Sequence, residues 1–460
     1  MSKPIAITHA LILPMDDAHS MIVDGAVVID GDRIVDVGQS REVMARLSAP
    51  VEQVVDATGK ALMPGFVDLH YHTALGKGWN DNLPLKDWLD ACWYPMVRAL
   101  DSEAAYWAAL LSYSDSIRCG VTTVNDMYRK VEALADAAVE IGIRAVLSND
   151  VADPEFDLDT LDDARRMLQT KHGIANGRIQ IRVGVEWLPL ASPALLKGAR
   201  ELADEFGAGI HIHLNESLSE IELAKKRLGG LRPLEAAYEH GVLGDDCVAA
   251  HCIWLTDREI QMLARTGTHV SHNPVANAKL GNGVARMPEL IGAGINVGLG
   301  HDCAECNNSR DMFQNMKFAS LLQRVTRTDA ELMQPAQVLH MATRAGALAL
   351  KQQTGEIAVG KKADLILIDL NSHMFTPLIP GNRDHLYSHL VFSAQSACVD
   401  STMVDGRFIM QNRTLSTIDE SEVLAQANRH FHKIAARIER GREQLGRLAH
   451  PAHSNVPANV

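Results

Sequence analysis

The run Pro64-Gly65-Phe66-Val67-Asp68-Leu69-His70-Tyr71-His72 is apolar, opens at a turn and ends in two histidines one residue apart. Side chains alternate faces along a β-strand, so residues i and i+2 point the same way. His70 and His72 therefore project together from a strand end, where two imidazoles can grip one metal ion. In a chain with 20 histidines, an isolated His-x-His also arises by chance. Three further segments decide between these readings. Gly209-Ile210-His211-Ile212-His213-Leu214-Asn215-Glu216 carries a second His-x-His, with a carboxylate three residues on. Val248-Ala249-Ala250-His251-Cys252 and Asn296-Val297-Gly298-Leu299-Gly300-His301-Asp302 end in the same kinds of side chain. One histidine at a strand end is usually a satisfied core residue. Imidazoles and carboxylates at four strand ends point to a metal site.

Such a site needs strands that deliver their ends to one face. Short apolar strands are expected near 65–71, 121–127, 143–149, 180–187, 209–215, 247–253, 268–272 and 295–301. Amphipathic helices are expected at 102–118, 130–140, 161–171, 193–206, 217–227, 256–265 and 286–292. Alternating β and α units in this number predict an α/β chain built on a (β/α)8 TIM barrel, whose catalytic residues come from the C-terminal strand ends. A doubly wound sheet would want a Gly-rich loop after its first strand, and none is present.

The flanks read differently. Val27-Val28-Ile29, Ile34-Val35 and Val54-Val55 are short β-branched strands. The β style returns at Ala363-Asp364-Leu365-Ile366-Leu367-Ile368 and around the Asp405-Gly406 turn. The expected organisation is a small β-sandwich built from both chain ends, 1–60 and 354–418, with the barrel at 61–353 between them. A charged helix and a loosely held tail follow over 419–460.

Composition narrows the class. The 460 residues exceed one core of roughly 250–300 residues. The net charge of −13 argues against nucleic acid. No signal-like or membrane-spanning run stands out. Seven scattered cysteines suit free thiols in a reducing compartment. A cytoplasmic enzyme with no nucleic-acid or membrane partner is expected.

Together with PGFVDLHYH and AHC, the motifs GVTTVNDM, HLNE, SHNPVANAKLGNG and GLGHD followed by NNSRDMF resemble the amidohydrolase superfamily. The likeness is to its branch of methylthioadenosine/S-adenosylhomocysteine deaminases, guanine deaminases and triazine hydrolases. It implies one divalent metal, zinc or else iron, held by His70, His72, His213 and Asp302. A divalent ion lowers the pKa of water toward neutrality. The resemblance further implies that Asp302 takes the water proton, His251 holds the attacking oxygen, and Glu216 protonates the ring of an amino-substituted N-heterocycle as ammonia leaves. Without the family, Glu216 serves equally well as a first-turn helix carboxylate. It also places His211 beneath the site and leaves His272 a structural or supporting role. The fourth strand lacks the lysine of two-metal relatives, although Glu186 could in principle bridge a second ion. The Cys303-Ala304-Glu305-Cys306 pair reads as pocket loop.

The chain departs from the nucleoside deaminases of this branch. Aligned through Pro95, the carboxylate that holds ribose hydroxyls is replaced by Val97, which accepts no hydrogen bond. Pro-His-Ser at the fourth strand end becomes Glu186-Trp187-Leu188. Glu186, Trp187, His301 and Glu305 are the candidate substrate contacts, suited to a flat N-rich heterocycle, though Trp187 is equally a packing residue. Three functions remain: a deaminase, a hydrolase displacing chloride or an alkylamine or cleaving another C–N bond, and a non-catalytic assembly protein. A methylthioadenosine/S-adenosylhomocysteine deaminase is a further alternative, and a homodimer is expected.

Overall fold

The computed structural model describes residues 4–47, 50–79 and 82–449. The apolar runs between the two flanks form eight parallel strands: β1 (Phe66–His72), β2 (Val121–Tyr128), β3 (Arg144–Asn149), β4 (Ile179–Val185), β5 (Ile210–Leu214), β6 (Cys247–His251), β7 (His269–His272) and β8 (Val297–Leu299). Each lies beside the next in chain order. Nearly every residue in them is buried. Continuous apolar runs, not alternating ones, are what a parallel sheet covered on both faces requires.

The crossover helices fall where periodicity and capping signals put them. Ser102–Arg118 and Pro193–Phe206 match the expected bounds, and the others differ by a residue or so at their ends. The helix Asp257–Thr266 shows why. Thr256 and Glu259 form a reciprocal capping box, and Gly267 closes the helix in the left-handed region at φ 72°.

β8 is shorter than expected. The strand was expected to run through 301 but breaks after Leu299, and the chain re-enters the sheet at Asp302–Cys303, which pairs in parallel with β1. The cause is local. The His301 N–H bonds the Asp68 carboxylate at 2.9 Å instead of a ladder carbonyl. At Gly300 an added Cβ would stand 2.5 Å from Asn273 Oδ1 and 2.8 Å from His70 Cβ. Only glycine allows this close approach. The parallel sheet is thereby curled, its far end returning to its first strand.

Strands from both chain ends join one mixed sheet. Lys60–Pro64 pairs antiparallel with Leu365–Asp369, tying the first part of the chain to the last. It straddles the boundary expected at residue 61. Ile7, Ile12, Val27, Leu62, Leu365 and Leu367 form a core of their own in this sheet. Buried Arg144 of β3 bridges to it, bonding Asp364 at 2.7 and 2.9 Å and also Asp405. The helix Glu420–Ala449 packs on Ser102–Arg118. The end of the tail, 450–460, lies outside the described residues. Among those residues no helix is long and apolar enough to cross a membrane.

Candidate metal centre and active site

The ends of β1, β5 and β6 bring four imidazoles together around one carboxylate. His72 Nδ1 donates to the Met127 carbonyl at 2.5 Å, and His213 Nδ1 donates to the Glu186 carbonyl. A carbonyl only accepts, so both Nδ1 atoms carry hydrogen and both Nε2 atoms present bare lone pairs. Yet the two Nε2 atoms face each other at 3.1 Å. Two acceptors cannot hydrogen-bond to one another. His70 Nε2 is buried and has no partner, while its Nδ1 lies 2.8 Å from His211 Nε2. Asp302 Oδ1 stands 3.7 Å from His70 Nε2 and 3.5 Å from His72 Nε2. A cation resolves this arrangement: three inward nitrogens and one carboxylate oxygen suit a divalent metal such as zinc.

The protonation states agree. Burial, with the neighbouring imidazoles, holds His70 and His72 well below the usual histidine range. Burial holds His213 down at about 4. Metal ligation requires such neutral rings. Burial pushes the Asp302 carboxyl up to about 7, a shift that a bound cation would reverse.

Arg310 braces the centre from behind and was not singled out from sequence. Its guanidinium donates to the Asp302 carbonyl at 2.5 Å and to the His72 carbonyl at 2.6 Å. It also stacks 3.7 Å from the centre of the Tyr71 ring. The signal was available inside NNSRDMF, but nothing in the spacing tells a buried clamp from a surface arginine.

Glu216 sits just past β5, beyond Asn215 at φ 53°. Helix capping does not occupy it, because Glu220 takes that work. The Glu220 carboxylate accepts the N–H groups of Asn215, Glu216 and Ser217, and Ser217 caps the helix Leu218–Arg227. Glu216 is left facing the cavity, with Asn282 Nδ2 donating to its Oε1 at 2.8 Å. Burial, then the Asp302, Glu220 and Glu186 charges, raise its carboxyl well above the usual range.

His251 Nδ1 lies 2.8 Å from Asn277 Oδ1, which leaves Nε2 as the inward atom, 3.8 Å from Asp302 Oδ2. Burial and His213 hold its ring neutral, at about 3. His251 and Asp302 adopt φ of 71° and 67°. Non-glycine residues held in the left-handed region cluster at functional sites.

His72, His213, Glu216, His251 and Asp302 border one cavity. One part of its wall is apolar and aromatic, from Leu85, Trp88, Leu89, Trp93 and Leu280, with the thiols of Cys303 and Cys306. The loop after β1 supplies most of that wall. Val97 is fully buried and is not part of the lining.

Of the four expected substrate contacts, Glu186 and Trp187 border the cavity. They lie just past the end of β4, which was expected to run through 187 but stops at Val185. The other two are engaged elsewhere. His301 Nδ1 pairs with Asp68 at 2.7 Å, and Glu305 accepts the N–H groups of Leu75 and Gly76 at 3.0 and 2.6 Å. Glu305 thus pins the loop after β1. His211 lies behind His70 as expected, with Ser148 Oγ 3.3 Å from its Nδ1. His272 is fully enclosed, with neither ring nitrogen hydrogen-bonded.

The amidohydrolase family model matches residues 61–409. The chain belongs to the amidohydrolase family. Its relatives include a 5'-deoxyadenosine deaminase of Methanobrevibacter smithii, 38% identical over 94% of this chain and 98% of that one. A 5-methylthioadenosine/S-adenosylhomocysteine deaminase of Syntrophomonas wolfei is 34% identical, over 94% of this chain and all of its own. Among solved structures, an adenosine deaminase from Xanthomonas campestris with bound zinc superposes with a TM-score of 0.87 at 27% identity, covering 94% of this chain and 98% of that one. The zinc in that relative and the opposed Nε2 lone pairs here agree: this amidohydrolase carries a candidate His/Asp metal site.

Proposed function

We propose that this amidohydrolase is a metal-dependent hydrolytic deaminase of an amino-substituted N-heterocycle. The observation that carries the proposal is Glu216, a buried carboxyl facing the same cavity as the opposed lone pairs of His72 and His213, with burial raising its pKa well above the usual range. An acid beside a water-activating centre is what hydrolytic deamination needs. The family and the names of the relatives support the same reaction class.

We assign His70, His72, His213 and Asp302 as ligands of one divalent ion, most simply zinc, with iron the alternative. Bound there, the ion supplies Lewis acidity that brings water toward ionisation at neutral pH. Asp302 takes the water proton. His251 accepts a hydrogen bond at Nε2 and aligns the attacking oxygen. As that oxygen bonds to the ring carbon, Glu216 gives its proton to the adjacent ring nitrogen. The proton on Asp302 then passes to the exocyclic nitrogen, the C–N bond breaks with its electron pair leaving on ammonia, and the proton on the added oxygen returns to Glu216 as the ring carbonyl forms. Asn282 keeps Glu216 on line throughout.

The finer architecture belongs to the same proposal. The curled sheet is read as a (β/α)8 barrel over 61–353, the chain-end sheet as a small β-sandwich from 1–60 and 354–418, and 419–460 as an appended helix and tail. Free, buried cysteines suit the cytoplasm. The helix Glu420–Ala449 gives a homodimer a surface to use.

A second reading is favoured by the two relatives named as nucleoside deaminases, namely that the ring carries a sugar. One experiment tests both. Zinc-loaded enzyme is assayed for ammonia against amino-heterocycles and adenosine-type nucleosides, before and after chelation. Ammonia release that chelation abolishes and zinc restores is expected. Turnover without ammonia would point instead to displacement of chloride or an alkylamine.

A further inference from the structure

Beside the reacting groups stands a polar wall that the deamination steps leave unused. Glu186 borders the cavity and is only 5% exposed. Its carboxyl meets the Tyr94 hydroxyl at 3.4 and 3.3 Å, both long contacts. No lysine or arginine is among the described residues that line the cavity. Behind it lies Asp150, fully buried, with neither carboxyl oxygen hydrogen-bonded. The neighbouring residue Trp187 borders the same wall, and its indole N–H is buried without a partner. A poorly satisfied acceptor and an unsatisfied donor, adjacent in sequence, are costly inside a protein unless a ligand answers them.

Their place fixes what they can touch. The Glu186 carbonyl receives the His213 Nδ1–H, and the Glu186 charge acts on Glu216. Both residues line the same cavity as His213 and Glu216, within which a ring presented to Glu216 would lie. Trp93 and Trp88, stacked at 5.8 Å between centres, line the cavity and favour a flat ligand.

We propose that Glu186 and Trp187 recognise a second amidine-type edge, N–C–NH2, on the substrate, the amino group donating to Glu186 and the ring nitrogen accepting from Trp187. The substrate class is then a flat heterocycle with at least two amino-bearing carbons, such as a diaminopurine, a diaminopyrimidine or a triaminotriazine. This rests on the deaminase reading above. A carboxylate also suits a sugar diol, so nucleosides are the competing outcome.

The test compares ammonia release from 2,6-diaminopurine, adenine and adenosine by the zinc-loaded wild type, Glu186→Leu, Glu186→Gln and Trp187→Phe. Metal content and thermal melting verify each variant, and the near-isosteric Gln variant serves if Leu does not fold. The wild type is expected to prefer 2,6-diaminopurine over adenine in kcat/KM by about 10-fold, the worth of one good hydrogen bond to a buried acceptor. That ratio should collapse in Glu186→Leu, fall partly in Trp187→Phe, and be intermediate in Glu186→Gln. A ratio that survives in Glu186→Leu overturns the proposal. So does a wild-type preference for adenosine that Glu186→Leu abolishes, which would assign the carboxylate to a sugar. No ammonia from any of the three, nor from a wider heterocycle panel, would instead remove the deaminase reading itself.

Discussion

Replacing Arg310 with methionine should loosen the metal centre without touching a ligand. Methionine keeps much of the apolar length against Tyr71 but has no N–H groups. Two buried carbonyls, those of His72 and Asp302, would lose their donors. Hydrogen bonds involving a charged group contribute about 1.5–3 kcal/mol each, and a desolvated cation–π contact adds about 2 kcal/mol. The three contacts share one guanidinium and are not additive, so we expect a loss of at least about 3 kcal/mol. Urea unfolding of the zinc-loaded proteins measures it. Because both carbonyls belong to proposed ligand residues, zinc retained after gel filtration should also drop well below the wild-type level. A variant that stays within about 1 kcal/mol of wild type and keeps its full zinc would refute the bracing role.

Other outcomes follow from the same contacts. Asp364→Ala leaves Arg144 short of its bidentate partner between β3 and the chain-end sheet, and breaking a buried ion pair should cost about 3–5 kcal/mol in chemical denaturation. Asn282→Ala removes the hydrogen bond that orients Glu216, so kcat should fall roughly 10- to 100-fold, on the scale of supporting-residue losses, with KM little changed. Without metal the Asp302 carboxyl keeps its proton up to about 7, above the ordinary value, so below that pH zinc must displace a proton. Apparent zinc affinity should therefore fall as pH drops below 7, by about tenfold per unit for one proton. His213, at about 4, adds no cost until the solution is far more acid. A competition titration between pH 5 and 8 checks this, and a flat profile would contradict it.

The sequence made some of these features legible and hid others, for physical reasons. His70 and His72 were readable as a pair because strand alternation fixes which side chains share a face, whereas alternation treats His211 and His213 alike and only the family resemblance singled out His213. Helix bounds were readable where caps mark them, as at Thr256 and Gly267. The break in β8 was not, since it depends on Asp68 taking the His301 N–H from across the sheet. The same long-range contact explains why His301, though next to Asp302, is engaged away from the cavity wall. Glu305 illustrates the converse limit: a carboxylate in a pocket loop looks like a ligand contact until the loop it pins, Leu75 to Gly76, is seen. The aromatic wall from Trp88 and Trp93 lay hidden in a loop whose helical turns carry no clear period.

The central claim is that water replaces an exocyclic amino group with Glu216 as the proton donor. It is tested most directly in heavy-oxygen water, by counting ammonia and labelled oxygen in the product of the zinc-loaded wild type and of Glu216→Gln. The account predicts one ammonia and one heavy oxygen per wild-type turnover. It predicts that Glu216→Gln keeps its zinc and slows by at least about 100-fold, as loss of a general acid implies. Product formed without ammonia, or a Glu216→Gln enzyme that turns over normally, would contradict it.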